Sequence, residues 1–276
     1  MKCSILGVGT FGKAMASHLL KNNHEVLLDT AKDSDVIFLI VPSHACASAL
    51  LKEKENINNQ PIIVCSKGFS EEGELLYTAI KKVFKNNLYF LYGPTLADEL
   101  LDGKLSGMIL AGGEGKELLK KELESDYLRI ELSEDVVGAQ IGASLKNVFT
   151  IFVGISEGLN MGENAKAYFF TKGLEEMQRI GVSLGAKQST FVGLNCAGDL
   201  LLHSRNRKLG ILLGEGKTLE EAIKEMEYTP QGIDNLKDIK KILQNQKLNP
   251  IEAPMVEVLH KVLFENYPVK QAVKEI

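Results

Sequence analysis

Residues 7–12 read Gly7-Val8-Gly9-Thr10-Phe11-Gly12, three glycines in the spacing GxGxxG. The apolar run Cys3–Leu6 leads into this turn, and the amphipathic stretch Lys13–Lys21 follows it. A strand, a glycine turn and a helix in this order are typical of a dinucleotide site, because free N–H groups at the helix N-terminus stabilise a pyrophosphate. We therefore predict that the turn binds NAD or NADP, the alternative being a purely structural turn. The residues that this pattern assigns to the cofactor are Gly7, Gly9 and Gly12.

The rest of the first half alternates short apolar runs with helical patterns. The further strand-like runs are Glu25–Leu28, Val36–Val41, Ile62–Val64, Leu88–Leu91, Gly107–Leu110 and Leu128–Leu132. Two further amphipathic stretches predict helices, His44–Glu53 and Glu71–Phe84. Strands that alternate with helices form a mostly parallel sheet, so we predict an α/β Rossmann-type domain over residues 1–132.

From Glu134 onward, apolar residues recur at the helical spacing of about 3.6 residues, and β-branched runs nearly vanish. The predicted helices are Val136–Glu157, Glu163–Gly185, Leu219–Met226, Ile233–Leu243, Ala253–Phe264 and Val269–Glu275. Gly185 and Gly210 are expected to mark helix ends, and Pro254 and Pro268 helix starts. We predict an all-α substrate domain over residues 133–276.

Composition excludes several classes of function. The net charge is -4 with both signs interspersed, which argues against nucleic acid as a partner. The four cysteines form no CxxC pair, so we expect buried free thiols and no metal site. The longest apolar run, Val36–Pro42, has the length of a strand rather than a membrane span. The apolar run at the N-terminus is interrupted at Gly7, so we do not expect a signal peptide. We therefore expect a soluble, cytoplasmic protein.

Asp29 ends the second predicted strand, about 20 residues after Gly7, where dinucleotide-binding proteins place the acid that contacts the adenosine ribose. A carboxylate there favours NAD, since it repels the 2′-phosphate of NADP. Lys32 lies close enough to weaken this preference, and a simple turn role for Asp29 is an equal alternative. The choice between NAD and NADP stays open.

Reactive side chains follow two of the predicted strands and interrupt one predicted helix. Lys67 comes just after Ile62–Val64, and residues 93–99 follow the next strand, at the strand ends where open α/β sheets bind ligands. Lys146 and Asn147 lie in an otherwise apolar helix. Burying a lysine charge is costly, so a buried Lys146 indicates function, whereas a solvated helix face is the alternative.

A series of segments now indicates a family. In chain order they are Lys146-Asn147-Val148, residues 154–159, residues 162–167, residues 190–194, Gly198-Asp199-Leu200-Leu201 and Ser204-Arg205-Asn206-Arg207. Their order and spacing closely resemble the NAD(P)-dependent glycerol-3-phosphate dehydrogenase family. Together with the glycine turn, the resemblance spans nearly the whole chain.

The resemblance implies an activity: reversible reduction of dihydroxyacetone phosphate to sn-glycerol 3-phosphate by NAD(P)H, for glycerophospholipid synthesis. Lys146 would be the general acid on the C2 carbonyl oxygen, with Asn147 and Asp199 as its polar partners. Lys67 would be a second active-site lysine that contacts both substrate and cofactor. A homodimer is also implied, although nothing in the sequence identifies its interface.

The resemblance also implies the remaining site residues. Arg205 would hold the substrate phosphate and contact the cofactor, and a guanidinium fork suits a phosphate. The other residues implied for the substrate are Gly93, Thr95, Ser204 and Asn206. Those implied for the cofactor are Thr10, Phe11, Ala97 and Gln231. Gln231 stands where the family often has Glu-Gly near the nicotinamide ribose.

Two segments depart from the family pattern. The chain passes almost directly from Asp29 to Asp35, where the family carries a much longer segment near the adenosine. It is also short between Asp199 and Arg205, so that His203 replaces a threonine that contacts substrate in the family. We favour a structural role for His203, capping the shortened turn, over a hydrogen bond to the substrate.

Two other functions are compatible with parts of this pattern. A β-hydroxyacid dehydrogenase relative would share both domains and the lysine, but its carboxylate substrate would not require the clamp of residues 204–207. A redox sensor that binds NAD(H) without turnover would explain the two short segments. The presence of Lys67, Lys146, Asp199 and Arg205 opposes it.

Overall fold

The computed structural model describes residues 1–245 and 250–276 of the chain. It divides into two compact units, Met1–Gln140 and Ile141–Ile276. Residues 246–249, which belong to the predicted second domain, lie outside the described residues. The predicted roles of the two domains stay predictions.

Within the described residues, the first unit is built on a seven-stranded sheet with the order β2-β1-β3-β4-β5-β6-β7. The strands are β1 (Lys2–Leu6), β2 (Glu25–Leu28), β3 (Val36–Leu39), β4 (Ile62–Val64), β5 (Leu88–Tyr92), β6 (Ser106–Gly112) and β7 (Leu128–Ser133). All neighbouring strands pair in parallel except β5 and β6, which are antiparallel. The predicted α/β fold and its mostly parallel sheet are confirmed.

Helices cover this sheet. They are α1 (Thr10–Lys21), α2 (Cys46–Lys52), α3 (Leu76–Lys81), α4 (Ala97–Leu101) and α5 (Lys116–Leu123). The core forms where α1 packs Met15 and Leu19 with inward-facing strand residues such as Ile5 and Phe38. Because β3 and β4 are buried on both faces, their sequences are continuous apolar runs rather than alternating patterns.

The helix predicted over Glu71–Phe84 is shorter than expected. Gly73 adopts a positive φ of 76°, and the Ser70 N–H bonds to the Glu74 carbonyl, so a tight turn occupies the beginning of the stretch. Helix α3 starts only at Leu76. Helices α4 and α5 were not predicted, since each is short and lies between two strands.

The short link between β2 and β3 runs back across β1. Parallel strands of one sheet are normally joined by a crossover of a dozen or more residues, but residues 29–35 suffice to join β2 and β3, which lie on the two sides of β1. The buried Ser4 hydroxyl donates to the Thr30 carbonyl at 2.6 Å, and the Asp35 carboxylate accepts the Lys2 N–H at 2.7 Å. The link therefore follows β1 along its length, and β2 is left as the edge strand of the sheet.

The second unit is helical over its described residues, and α6 begins in the first unit. The helices are α6 (Val136–Gly158), α7 (Gly162–Ser183), α8 (Asp199–Leu201), α9 (Arg205–Gly214), α10 (Leu219–Met226), α11 (Gly232–Asn245), α12 (Pro254–Phe264) and α13 (Val269–Ala272). The predicted all-α region is confirmed. Gly185 follows the end of α7, Pro254 begins α12 and Pro268 precedes α13, as predicted.

The prediction that Gly210 ends a helix is wrong. Gly210 lies inside α9, and a Cβ there would lie 2.0 Å from the Ile151 carbonyl oxygen of α6. Gly154 of α6 meets α9 equally closely, 2.2 Å from the Arg207 carbonyl oxygen by the same measure. These glycines thus permit a close helix crossing rather than a helix end.

Helix α6 is long enough and apolar enough to cross a membrane. Polar residues interrupt its sequence, so it contains no long apolar run. Buried positions make up 89% of its most apolar window, as expected for the core helix of a folded protein.

Candidate active site

The glycine turn has the geometry that an anion site requires. Gly7 has φ +106°, and a Cβ on Gly12 would lie 2.1 Å from the Gly7 carbonyl oxygen. Helix α1 begins after Gly9 with no side-chain cap and no acidic residue in its first turn. The first N–H groups of α1 are therefore not used by a capping side chain and fit the pyrophosphate of a dinucleotide.

Carboxylates surround the end of β2. Asp29 has φ +52°, and its Oδ1 accepts the Gly7 N–H at 2.9 Å, so this side chain links β2 to the glycine turn. Glu53 accepts the Ala31 N–H at 2.8 Å and an amide hydrogen of Asn56 at 2.9 Å. The Ala31 N–H lowers the pKa of Glu53, which is therefore ionised at neutral pH. No sequence pattern pointed to Glu53, because only the fold brings it to the shortened link.

Lys67 and the loop after β5 come together as predicted from their strand-end positions. The Lys67 ammonium donates to the Gly93 carbonyl at 3.2 Å. A Cβ on Gly93 would lie 2.3 Å from the Gly107 carbonyl oxygen, and the Thr95 hydroxyl donates to that same oxygen at 3.3 Å. Ala97 begins α4 at the end of this loop. These contacts fix the loop, while the binding roles of its residues stay predictions.

Lys146 and Asp199 form a buried ion pair in the second unit. The Lys146 Nζ lies 2.9 Å from the Asp199 Oδ1, and the two residues are 7% and 2% exposed. The alternative of a solvated helix face for Lys146 is thereby excluded. Asp199 follows a π-helical turn, Leu194–Gly198, a feature often found at functional sites. Since desolvation offsets much of the attraction in a buried pair, stability alone does not explain these two charges.

Asn147 belongs to a second buried polar chain. Its Oδ1 accepts an amide hydrogen of Asn206 at 2.9 Å, and the Asn206 Oδ1 accepts the Gly232 N–H at 2.8 Å. Asn206 thus holds the start of α11, next to Gln231. These bonds leave one Nδ2 hydrogen of Asn206 for the predicted phosphate contact.

The two arginines of Ser204-Arg205-Asn206-Arg207 have opposite environments. Arg207 is buried, donates to both carboxylate oxygens of Glu157 and reaches the Leu201 carbonyl at 3.3 Å. Arg205 is exposed, and no carboxylate of the described residues pairs with it. The guanidinium available to a phosphate is therefore that of Arg205.

Ser204 is the N-cap of α9, since its hydroxyl accepts the Arg207 N–H at 3.4 Å. The capping role favoured for His203 is therefore wrong, and its side chain is exposed. Ser204 combines the cap with its predicted substrate contact, because a hydroxyl oxygen accepts one bond and still donates its hydrogen.

All four cysteines are free and buried, as predicted. Burial raises the pKa of Cys65, which lies two residues before Lys67, to about 12. A thiol with that pKa is not a nucleophile at neutral pH.

A GxGxxG turn on a Rossmann-type sheet and a buried lysine–aspartate pair define an oxidoreductase that uses a nicotinamide dinucleotide. Residues 27–117 match the family model described as NAD-dependent glycerol-3-phosphate dehydrogenase N-terminus, and residues 135–274 match its C-terminus counterpart. The chain belongs to the NAD-dependent glycerol-3-phosphate dehydrogenase family.

Individual relatives of the chain carry the same family name. A glycerol-3-phosphate dehydrogenase [NAD(P)+] of Carboxydothermus hydrogenoformans is 36% identical over 252 residues, covering 87% of this chain and 74% of the relative. That of Fusobacterium nucleatum is 33% identical over 326 aligned positions, covering 100% and 96%. The latter alignment is longer than the chain of 276 residues, so the relative has positions that this chain lacks.

Solved structures show the same fold. The glycerol-3-phosphate dehydrogenase of Coxiella burnetii matches with a TM-score of 0.92 at 26% identity, covering 99% of this chain and 98% of that one. The enzyme of Saccharomyces cerevisiae matches with a TM-score of 0.88 at 22% identity, covering 100% and 99%. Family membership decides against the β-hydroxyacid dehydrogenase alternative.

Proposed function

We propose that this protein is an NAD(P)-dependent glycerol-3-phosphate dehydrogenase, which reduces dihydroxyacetone phosphate to sn-glycerol 3-phosphate and catalyses the reverse reaction. The observation that carries the proposal is the buried Lys146–Asp199 pair, with Nζ and Oδ1 2.9 Å apart, in a chain of this family. Relatives at 33–36% identity bear this activity in their names.

Lys146 is the general acid of this reaction. Reduction of a ketone concentrates negative charge on the carbonyl oxygen, and a cation held in a water-poor site stabilises that charge strongly. The bound dinucleotide supplies the hydride. The Lys146 ammonium gives its proton to the C2 oxygen and regains one from solvent, while Asp199 keeps Nζ in place.

Arg205 binds the phosphate of the substrate, supported by Ser204 and Asn206 on the same helix turn. Its exposure and its lack of a carboxylate partner among the described residues leave its N–H donors for a dianion. Lys67, with Gly93 and Thr95, is assigned to the substrate, and Lys67 and Ala97 also to the cofactor. Asn147 supports the phosphate-binding residues because its Oδ1 accepts a hydrogen bond from Asn206.

The dinucleotide is NAD rather than NADP in this proposal. Asp29 and the ionised Glu53 place two carboxylates around the end of β2, where a 2′-phosphate would meet repulsion. We expect NADH to bind at least about tenfold more tightly than NADPH, and Asp29→Asn to narrow that difference. Fluorescence titration measures both dissociation constants without turnover, and equal affinities would contradict the preference.

A turnover assay tests the activity. Purified protein is mixed with dihydroxyacetone phosphate and NADH or NADPH, and the loss of reduced cofactor is followed by absorbance. Lys146→Met is the inactive variant, and Lys224→Met, which removes an exposed lysine of α10, is the matched control. No turnover with either cofactor contradicts the proposal, and cofactor binding without turnover favours the redox sensor.

The cellular setting belongs to the proposal as well. We assign the enzyme to the cytoplasm and to glycerophospholipid synthesis, where sn-glycerol 3-phosphate supplies the backbone. The expected homodimer stays a prediction, which sedimentation of the purified protein tests.

A further inference from the structure

Tyr228, for which neither the motifs nor the family resemblance suggested a role, lies against Arg205. The Cζ of Arg205 is 4.1 Å from the centroid of the Tyr228 ring, within the range of a cation–π contact. The Tyr228 side chain is 42% exposed, so this ring is not part of the packed core. Core packing therefore does not explain the contact between this ring and Arg205.

The segment that carries Tyr228 is fastened to the first turn of α9 at a second point. The Gly232 N–H donates to the Asn206 Oδ1 at 2.8 Å, and a Cβ on Gly232 would lie only 2.7 Å from that oxygen. Pro230, between the two contacts, is buried. The segment 228–232 is thus attached on both sides of Pro230, which holds the ring beside Arg205.

Stacking suits an arginine that has to bind a phosphate. In a stacked pair, an aromatic ring covers the flat face of a guanidinium and leaves the N–H donors, which point outward in its plane, free for a phosphate. A free arginine side chain must lose rotamer freedom when it binds, and a contact that already restricts it reduces this loss. Arg207 shows the opposite arrangement, because Glu157 and the Leu201 carbonyl take up its donors.

We propose that Tyr228 is a positioning residue that holds the Arg205 guanidinium in the orientation that binds the substrate phosphate. This inference rests on the proposed function, in which Arg205 binds that phosphate.

The test compares Tyr228→Leu with Tyr228→Phe, which keeps the aromatic face. A cation–π contact at an exposed site is worth about 0.5–1 kcal/mol, or about two- to fivefold in binding. We expect Tyr228→Leu to raise KM for dihydroxyacetone phosphate by about that factor with kcat unchanged, and Tyr228→Phe to stay near the parent. With unphosphorylated dihydroxyacetone, kcat/KM should be equal in all three proteins.

Arg205→Leu distinguishes the phosphate-binding role of Arg205 from the positioning role of Tyr228. A charged hydrogen-bond pair is worth about 1.5–3 kcal/mol, so this variant should raise KM for the phosphorylated substrate about 10- to 100-fold. An unchanged KM would refute the phosphate role of Arg205 itself. A raised KM in Arg205→Leu with a normal KM in Tyr228→Leu would refute only the positioning role.

The double variant Arg205→Leu/Tyr228→Leu measures how far the effects of the two substitutions on KM depend on each other. Because Tyr228 acts through Arg205, the double variant should have the same KM as Arg205→Leu alone. A further rise in KM, or an equal effect of Tyr228→Leu on dihydroxyacetone, would show that Tyr228 acts independently of the guanidinium and would overturn the inference.

Discussion

The two compact units prepare their functional groups by different means. In the first unit, the glycine turn offers backbone N–H groups, and its shape depends on positions where a Cβ does not fit, such as Gly12. In the second unit, Lys146 and Asp199 place opposite charges 2.9 Å apart in a buried position. A backbone site is therefore sensitive to added atoms, whereas a side-chain site is sensitive to the loss of one charged atom.

The largest effect is expected at the side-chain site. Lys146→Met removes the proton donor and its ion pair with the buried Asp199. General acid catalysis contributes about 10²- to 10⁴-fold, so kcat should fall by that range. Stopped-flow kinetics at saturating NADH and substrate measures it. Titration of the same variant with NADH should give the parental dissociation constant. A loss of NADH affinity would show that the two sites do not act separately.

A second buried charge of this unit predicts a pH effect on stability. Glu176 accepts the Met255 and Val256 N–H groups at 2.9 Å each, yet burial outweighs these bonds and raises its pKa to about 7. Since its ordinary value is 4.5, the folded protein binds the proton more tightly than the unfolded chain. The free energy of unfolding should therefore fall by up to about 3 kcal/mol as the pH rises from about 4.5 to 7.

Urea unfolding at several pH values measures this loss. Glu176→Gln should remove most of it, because the amide does not titrate. Its neighbour Glu175 is exposed and paired with Lys172, so Glu175→Gln is the matched control and should keep the parental pH dependence. If Glu176→Gln and the parent lose stability in parallel, the buried carboxyl is not the group responsible.

At the backbone site, two glycines separate folding from binding. A Cβ on Gly9 meets nothing within 4 Å, whereas one on Gly12 would meet the Gly7 carbonyl. Gly12→Ala should destabilise the protein by about 1–3 kcal/mol, as overpacking does. Gly9→Ala should keep the parental unfolding free energy but weaken NADH binding about tenfold, because its Cβ occupies the approach to the pyrophosphate. Thermal melts measure the effect on stability, and fluorescence titration measures the effect on NADH binding. A normal NADH affinity in Gly9→Ala would show that the pyrophosphate does not bind at this turn.

The sequence predicted the backbone site better than the side-chain site. All seven strands were predicted within one or two residues of their ends. The glycine turn was predicted from its GxGxxG spacing between an apolar run and an amphipathic stretch, and these are all local patterns. Lys146 was recognised by its apolar neighbours. Its contact with Asp199 follows from a resemblance and from the fold, not from any local signal.

What the sequence did not reveal depends on tertiary contacts. Helix α9 was missed because Gly210 has the appearance of a helix end, although it serves a crossing with α6. Glu53 and Tyr228 lie in or beside loops, where an acid or an aromatic residue carries no spacing signal. Only the folded chain brings Glu53 to Ala31 and Tyr228 to Arg205.

Chemical rescue tests whether Lys146 donates the proton. Lys146→Ala leaves a space at Nζ, into which a small primary ammonium ion can bind. The kcat of this variant with dihydroxyacetone phosphate is measured against increasing methylammonium, with tetramethylammonium, a cation that has no proton to give, as control. If Lys146 is the proton donor, kcat should recover saturably with methylammonium and not with tetramethylammonium. Parental activity without any amine, or equal recovery with tetramethylammonium, would contradict it.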